Sequence, residues 1–289
     1  MEYESLLRQI ETDNVHGASY LIELGAKAAL ALLKEGDVSK IPEFAERLMK
    51  AQPSMAPILN FGAFLLAQYE DKREDGEEIE KAIIDYVADF RKARGKSLEN
   101  AENLIENGDT VVTHSFSSSV LEVLKLARER GKDFEVYCTE SRPQKEGLEL
   151  ARELSEMGIK TYLTTDMGIF SAIETKASSL LFGVDAFLKS GIVNKVGTAP
   201  MAEYAENRGI PVFFVGDSFK ILPKEAANYF RIRSGRRDEV LEKPLKELEV
   251  VNPYFDVTPY KTVRGIATEN GVAGPLEFVE KAFGVNPEP

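Results

Sequence analysis

Two patterns of apolar and polar positions divide the chain. From residue 1 to about residue 108, apolar side chains recur at helical spacing. Ala18 to Lys34 predicts one amphipathic helix that stops at Gly36. Ile41 to Ala51 predicts a second, with Pro42 in its first turn. Met55 to Tyr69 predicts a third after Pro53, and Glu77 to Glu106 a long fourth, softened at Gly95. The charged run from Glu70 to Gly76 reads as a solvated turn.

After Asn107-Gly108-Asp109 the pattern changes. Short β-rich runs alternate with helical ones: strands at Thr110–His114, Phe134–Thr139, Ile159–Thr164, Ser179–Val184 and Val212–Val215. The helices between them fall at Val120–Glu129, Gly147–Met157, Ile169–Lys176 and Met201–Asn207. Alternation with short connections predicts a parallel sheet covered on both faces. The expected organisation is a helical domain over 1–108 and an α/β domain over 109–289. Lys224 to Glu249 is charged and breaks the alternation, as an excursion from the sheet would. Val250–Asp256 and Ile266–Thr268 read as closing strands.

Composition narrows the function. The 289 residues are 43% hydrophobic and 29% charged, as in a globular protein. No apolar run approaches the ~20 residues that span a bilayer, and the acidic N-terminus does not resemble a signal peptide. A cytoplasmic protein without membrane contact is expected. The net charge of −12 argues against direct nucleic-acid binding. One cysteine and two histidines leave no metal cluster to expect. The abundance of Glu, Lys and Arg beside one cysteine is a thermophile-like composition.

Candidate chemistry collects after the strands, where open α/β sheets place their ligands. The run THSFSSS over residues 113–119 follows the first strand. Capping accounts for one serine there, but four fit a small phosphate or sugar site better, with Ser115, Ser117 and Ser118 as ligands. It is neither a G-x-G-x-x-G turn nor a P-loop, so no dinucleotide, nucleoside triphosphate or other cofactor is expected. Arg142 follows the second strand and suits phosphate. Asp166 reads as a cap for the helix beginning at Met167. Asp185 ends the fourth strand, where burial would raise its pKa and suit it to general-acid work. Asn194 and Lys195 lie on a strand-to-helix connection, and a helix with a hydroxyl cap follows from Thr198. Lys220 adds a point charge. Asn194, Lys195, Lys220 and Arg142 are read as one site on one sheet edge. His114 reads as a packing histidine, His16 has no acid–base role, and Cys138 is a buried small hydrophobe.

These residues, in order, resemble the family that joins the α, β and δ regulatory subunits of translation initiation factor 2B to two sugar-phosphate isomerases. The resemblance runs through Val15-His16-Gly17-Ala18, Gln52-Pro53-Ser54, Thr113-His114-Ser115, Glu140-Ser141-Arg142-Pro143, Gly183-Val184-Asp185, Asn194-Lys195-Val196-Gly197-Thr198 and Asn252-Pro253-x-Phe255-Asp256-x-Thr258-Pro259. It implies a helical N-terminal domain followed by a Rossmann-like α/β domain, and a homodimer formed through the latter. The isomerases of the family carry a catalytic cysteine at the position of Ser115, paired with an aspartate at that of Asp185. They also keep two arginines where this chain has His16 and Gln52. Loss of all three resembles the archaeal regulatory branch, as does Gly216-Asp217-Ser218-Phe219-Lys220.

The resemblance implies a regulatory protein that binds a phosphosugar or a nucleoside monophosphate without turnover. Its implied partner is initiation factor 2, through the α subunit, or a nucleotidyltransferase-like companion. The alternative is an aldose–ketose isomerase of the ribose 1,5-bisphosphate type using Asp185 and Ser115. That alternative needs a base beside Ser115, and the sequence offers only His114, expected on the opposite face of the strand.

Overall fold

The computed structural model describes residues 2–13, 17–72, 75–243 and 245–284. It divides into two compact units: residues 1–93 with 185–187 and 219–231, and the remainder, 94–184, 188–218 and 232–289.

The first unit is helical. It contains α1 (Glu2–Thr12), α2 (Ala18–Lys34), α3 (Ile41–Ala51), α4 (Ala56–Lys72) and the part of α5 (Gly76–Glu102) up to Ala93. The helical stripes read from the sequence form its core: Leu7, Ile10, Leu21, Leu32, Leu48 and Phe61 are fully buried. Each contributes roughly 1.5–3 kcal/mol over exposure. Gly36, at φ +80°, ends α2 as expected. Asp75 accepts from the N–H groups of Glu77 and Glu78 and opens α5, which runs unbroken through Gly95. Gly62 of α4 lets α3 close in: a Cβ there would strike the Met49 side chain.

Both later excursions of the chain are bound into this unit through their backbone carbonyls. Ala56 N donates to Asp185 O at 3.0 Å. The Asn60 amide donates to the carbonyls of Phe219 and Ile221, and the Ser54 hydroxyl to that of Arg231. Phe219 packs edge-on against Tyr86 and Phe90, with ring centroids 5.1 and 5.5 Å away.

The second unit is the expected α/β sheet. Its elements are β1 (Thr110–Thr113), α6 (Ser118–Glu129), β2 (Glu135–Thr139), α7 (Gly147–Glu156), β3 (Lys160–Thr164), α8 (Ile169–Thr175) and β4 (Ser179–Phe182). After the short strand β5 (Ala186–Leu188) come β6 (Gly191–Lys195), α9 (Thr198–Glu206), β7 (Val212–Val215), β8 (Phe255–Thr258), β9 (Gly265–Thr268), β10 (Gly271–Ala273) and α10 (Pro275–Phe283). The main sheet runs β10-β9-β7-β4-β1-β2-β3, parallel except for β10 at its edge. The strand order therefore reverses between β1 and β4, which makes their C-terminal ends the place for a ligand.

The sheet is buried because its central strands are apolar on both faces. Val111, Val136, Leu181 and Val215 pack with α6, α7 and the last turns of α5, and all four residues of β1 are buried. Two expectations change here. Asn194 and Lys195 do not lie on a connection: they end β6, which pairs antiparallel with β8 in the register Asn194↔Asp256 and Lys195↔Phe255. The closing segment is likewise shorter than read, since β8 begins only at Phe255. Asn252 instead donates to the Arg236 carbonyl and the Glu239 carboxylate, fastening residues 236–239.

Candidate functional site

Ser115 stands at the C-terminal end of β1 with φ +70°, a left-handed conformation that costs a non-glycine residue about 1–2 kcal/mol. The neighbouring loop holds it there. Ser115 N donates to Ser141 Oγ at 2.8 Å. Ser141 is also left-handed, at φ +63°. Its N–H and that of Arg142 donate to the two oxygens of Asp166, at 2.7 and 2.8 Å. Asp166 therefore does not cap its own helix, because its carboxylate is spent on the loop after β2. Gly168 N donates to Thr165 Oγ1 instead.

A row of hydrogen bonds runs from Ser115 into the interior. Val196 O lies 2.8 Å from His114 Nε2, so that nitrogen carries the proton. Burial lowers the His114 pKa and keeps the ring neutral, leaving Nδ1 to accept from Thr139 Oγ1 at 2.5 Å. Thr139 Oγ1 in turn accepts from Ser141 Oγ at 2.8 Å, and Ser141 Oγ accepts from Ser115 N. His114 is thus a buried positioning group for the Ser115 turn, with both ring nitrogens engaged and no free lone pair to take a proton from a ligand.

The Ser115 hydroxyl points elsewhere. It donates to Glu146 Oε1 at 2.9 Å, and the same oxygen lies 2.6 Å from Lys195 Nζ. Lys195 is 7% exposed, and its ammonium stands 5.5 Å from the centre of the Tyr254 ring. Glu146 Oε2 is buried and has no hydrogen-bond partner among the described residues. The expectation that only His114 could serve as a base beside Ser115 is therefore corrected: Glu146 is the carboxylate in reach. It precedes Gly147, where a Cβ would run into the Thr139 carbonyl, so α7 starts hard against the end of β2 and delivers Glu146 to Ser115. That glycine was the available signal.

The other predicted ligands have mixed positions. Asn194 and Lys195 alternate across β6, so they face opposite ways. Lys195 reaches Glu146, whereas buried Asn194 donates to Thr198 Oγ1 at 3.2 Å. Thr198 Oγ1 donates to Lys195 O at 2.6 Å, so it does not cap α9. The cap is Asp256, which accepts from Gly197 N at 2.7 Å and from Ala199 N. Burial raises the Asp256 pKa to about 6, against those two hydrogen bonds. Gly197, at φ +107°, lies under His114 and takes a turn that a side chain would strain. Ser117 caps α6 by accepting from Val120 N at 3.3 Å. Gly183 passes so close to Ser117 that a Cβ would overlap its hydroxyl. Ser118 is half-buried in the first turn of α6, and Arg142 is exposed.

Asp185 and Lys220 belong to the first unit. Asp185 is half-buried and gives its carbonyl to the start of α4, while Lys220 is buried. His16 lies outside the described residues. Cys138 is buried in β2, and burial pushes its thiol up to about 12. Among the described residues, no three His, Cys, Asp or Glu side chains are placed to hold a metal ion. No helix among them is long and apolar enough to cross a membrane.

Residues 6–275 match the model of the initiation factor 2 subunit family. The chain belongs to that family. A Pyrococcus horikoshii relative named as translation initiation factor eIF-2B subunit 2-like is 36% identical over 285 residues, covering 95% of this chain and 97% of that one. A ribose 1,5-bisphosphate isomerase of Methanocaldococcus jannaschii is 30% identical over 294 residues, covering 96% and 94%. The crystal structure of the Pyrococcus horikoshii translation initiation factor eIF-2B superposes with a TM-score of 0.83 at 31% identity, covering 96% of this chain and 98% of that one. Relatives of this chain thus carry both kinds of name.

Proposed function

We propose that this protein is a regulatory member of the family, which binds a phosphosugar or a nucleoside monophosphate at the ends of β1 and β6 and does not turn it over. The observation that carries the reading is the arrangement of Ser115, Glu146 and Lys195. A hydroxyl is a poor acid or nucleophile unless a base is free to take its proton. Here the carboxylate that accepts from Ser115 is already bound to a buried ammonium. The chain's one thiol cannot substitute, because Cys138 is buried and far from thiolate at neutral pH. Lys195, Ser115 and Ser118 supply donors for a phosphate ester, and exposed Arg142 supplies a further positive charge.

Phosphorus NMR of the protein with ribose 1,5-bisphosphate and with methylthioribose 1-phosphate tests this. Broadened but unconverted resonances are expected, and new ketose phosphate resonances would overturn the reading. One observation favours a second reading, an aldose–ketose isomerase: Glu146 is a carboxylate within reach of Ser115 and could move a proton between adjacent carbons. In that case turnover appears in the same experiment and is lost in Glu146→Gln.

The protein partner in the regulatory reading is initiation factor 2 through its α subunit, or a nucleotidyltransferase-like companion, with the chain itself a homodimer. The net charge of −12 suits a salt-sensitive complex with a basic protein face. Pull-down at low salt with either component in excess should retain the complex, and its absence removes that assignment.

A further inference from the structure

In the regulatory reading Glu146 is a carboxylate withheld from base work by Lys195, and the same position controls what the pocket can accept. Lys195 has a side chain only 8% exposed, so its ammonium requires a counter-charge. Glu146 Oε1 provides it at 2.6 Å and also engages Ser115. An anion arriving at Lys195 therefore meets a carboxylate already in place. Two negative groups on one buried cation repel strongly unless one of them is neutralised.

We propose that Glu146 is a built-in competitor for anions at Ser115 and Lys195, so that a phosphate or sulfate binds there only together with one proton taken up by Glu146. The inference rests on the reading of these strand ends as a phosphate-ester pocket. Once protonated, the carboxyl group becomes a hydrogen-bond donor, and Ser115 and Lys195 are released to the ligand. The ligand class that follows is a dianion whose binding strengthens as pH falls.

Among the described residues, charged and titratable groups stand near Glu146 on several elements, and Arg233 lies 5.9 Å from the Tyr254 ring that Lys195 also meets. His114 at the end of β1 is buried and neutral, and Lys195 comes from β6. Tyr254, before β8, stays protonated because burial and Glu239 raise its pKa. Asp166, after β3, is fastened to the N–H groups of Ser141 and Arg142. Asp256 on β8, whose pKa burial raises to about 6, faces Gly197 and Ala199 and is retained in a Glu146 variant. A difference between wild type and Glu146→Gln therefore isolates Glu146.

The test is calorimetric titration of the full chain with sulfate, which keeps its double charge from about pH 5 to about pH 8.5, and with ribose 5-phosphate. In wild type, sulfate affinity should fall by up to about tenfold per pH unit. Paired buffers of different ionisation enthalpy should report one proton taken up. Glu146→Gln should bind sulfate at least about tenfold more tightly near pH 8, without proton uptake, and Lys195→Met should bind neither probe. Equal affinity in wild type and Glu146→Gln without proton uptake overturns the proposal while leaving the anion pocket standing. Failure of both proteins to bind either probe at any pH overturns the pocket as well. If Glu146→Gln does not fold, the wild-type buffer pair decides alone, and zero uptake refutes the coupling.

Discussion

Two carboxylates in the α/β unit meet the same kind of partner and end up with different properties. Glu102, the last residue of α5, is 1% exposed and lies between Arg130 and Lys132, with Lys132 Nζ 2.7 Å from Oε1. Burial alone would raise its pKa, but the Lys132 and Arg130 hydrogen bonds outweigh it and hold the carboxyl below its ordinary value. Both of its cations reach water. Glu146 has one cation, and that cation is the more deeply buried of the pair. In the first case the acid is inside and the bases are at the surface, which makes a fastener. In the second the base is inside and the acid retains an unused oxygen, which makes a place for chemistry. What separates them is which partner is left without solvent.

That difference can be tested by removing each acid. Glu146→Ala should cost the most, about 3–5 kcal/mol, because it strands a buried ammonium. Sulfate should restore part of the loss in thermal melts. Glu102→Ala should cost less, about 1–3 kcal/mol, because Arg130 and Lys132 can turn to water, and sulfate should restore none of it. Equal losses, or equal rescue, would erase the comparison.

Gly183→Ala probes the packing beside the same turn. Its Cβ would displace Ser117 from the α6 cap, at a cost of about 1–3 kcal/mol in urea unfolding, with a normal m-value.

The smallest effect is in the pH dependence. The His114 pKa is lowered from 6.5 in the folded protein, so the unfolded chain binds the extra proton first. Its contribution is present above pH 6.5 and is lost as pH falls toward the folded value. The Asp256 shift has the opposite sign. With its folded value raised from 3.8 to about 6, it favours the folded state at low pH and loses that contribution as pH rises through about 6. Melting temperatures from about pH 7.5 to about pH 5 should therefore decline less steeply in His114→Gln and more steeply in Asp256→Asn. A change of the same sign in both variants would contradict the burial assigned to one of them.

Much of this architecture was legible in the chain. The helices Ala18–Lys34 and Ile41–Ala51 have the bounds read from their apolar spacing, and the five parallel strands from β1 to β7 fall within the runs predicted for them. Those elements carry their signal locally. β6 does not, because it ends in two polar residues, Asn194 and Lys195, that are buried only by pairing with β8 some sixty residues later. The Ser115 site escaped for a similar reason. Its members come from the loops after β1 and β2 and from the end of β6, and no spacing along the chain records that Glu146 would meet Lys195. Asp166 reads as the cap of its nearest helix, yet its carboxylate holds the loop after β2, and α9, for which Thr198 reads as the cap, is capped by Asp256 from β8. Local capping rules see only the closest backbone, whereas a folded sheet brings strand ends together.

The row from Ser115 through Ser141 and Thr139 to His114 has one further property. Each hydroxyl in it accepts from one side and gives to the other, and the two ends cannot be exchanged: a backbone N–H starts the row and a carbonyl beyond the imidazole finishes it. The row is therefore polarised in a single sense, like a file of compass needles fixed by magnets at both ends. Turning the Thr139 hydroxyl away would leave His114 Nδ1 without its donor, and the fixed N–H and carbonyl ends keep the row from reversing. The proton positions around the Ser115 turn are thus ordered collectively, and the interior of the sheet stores a direction as well as a shape.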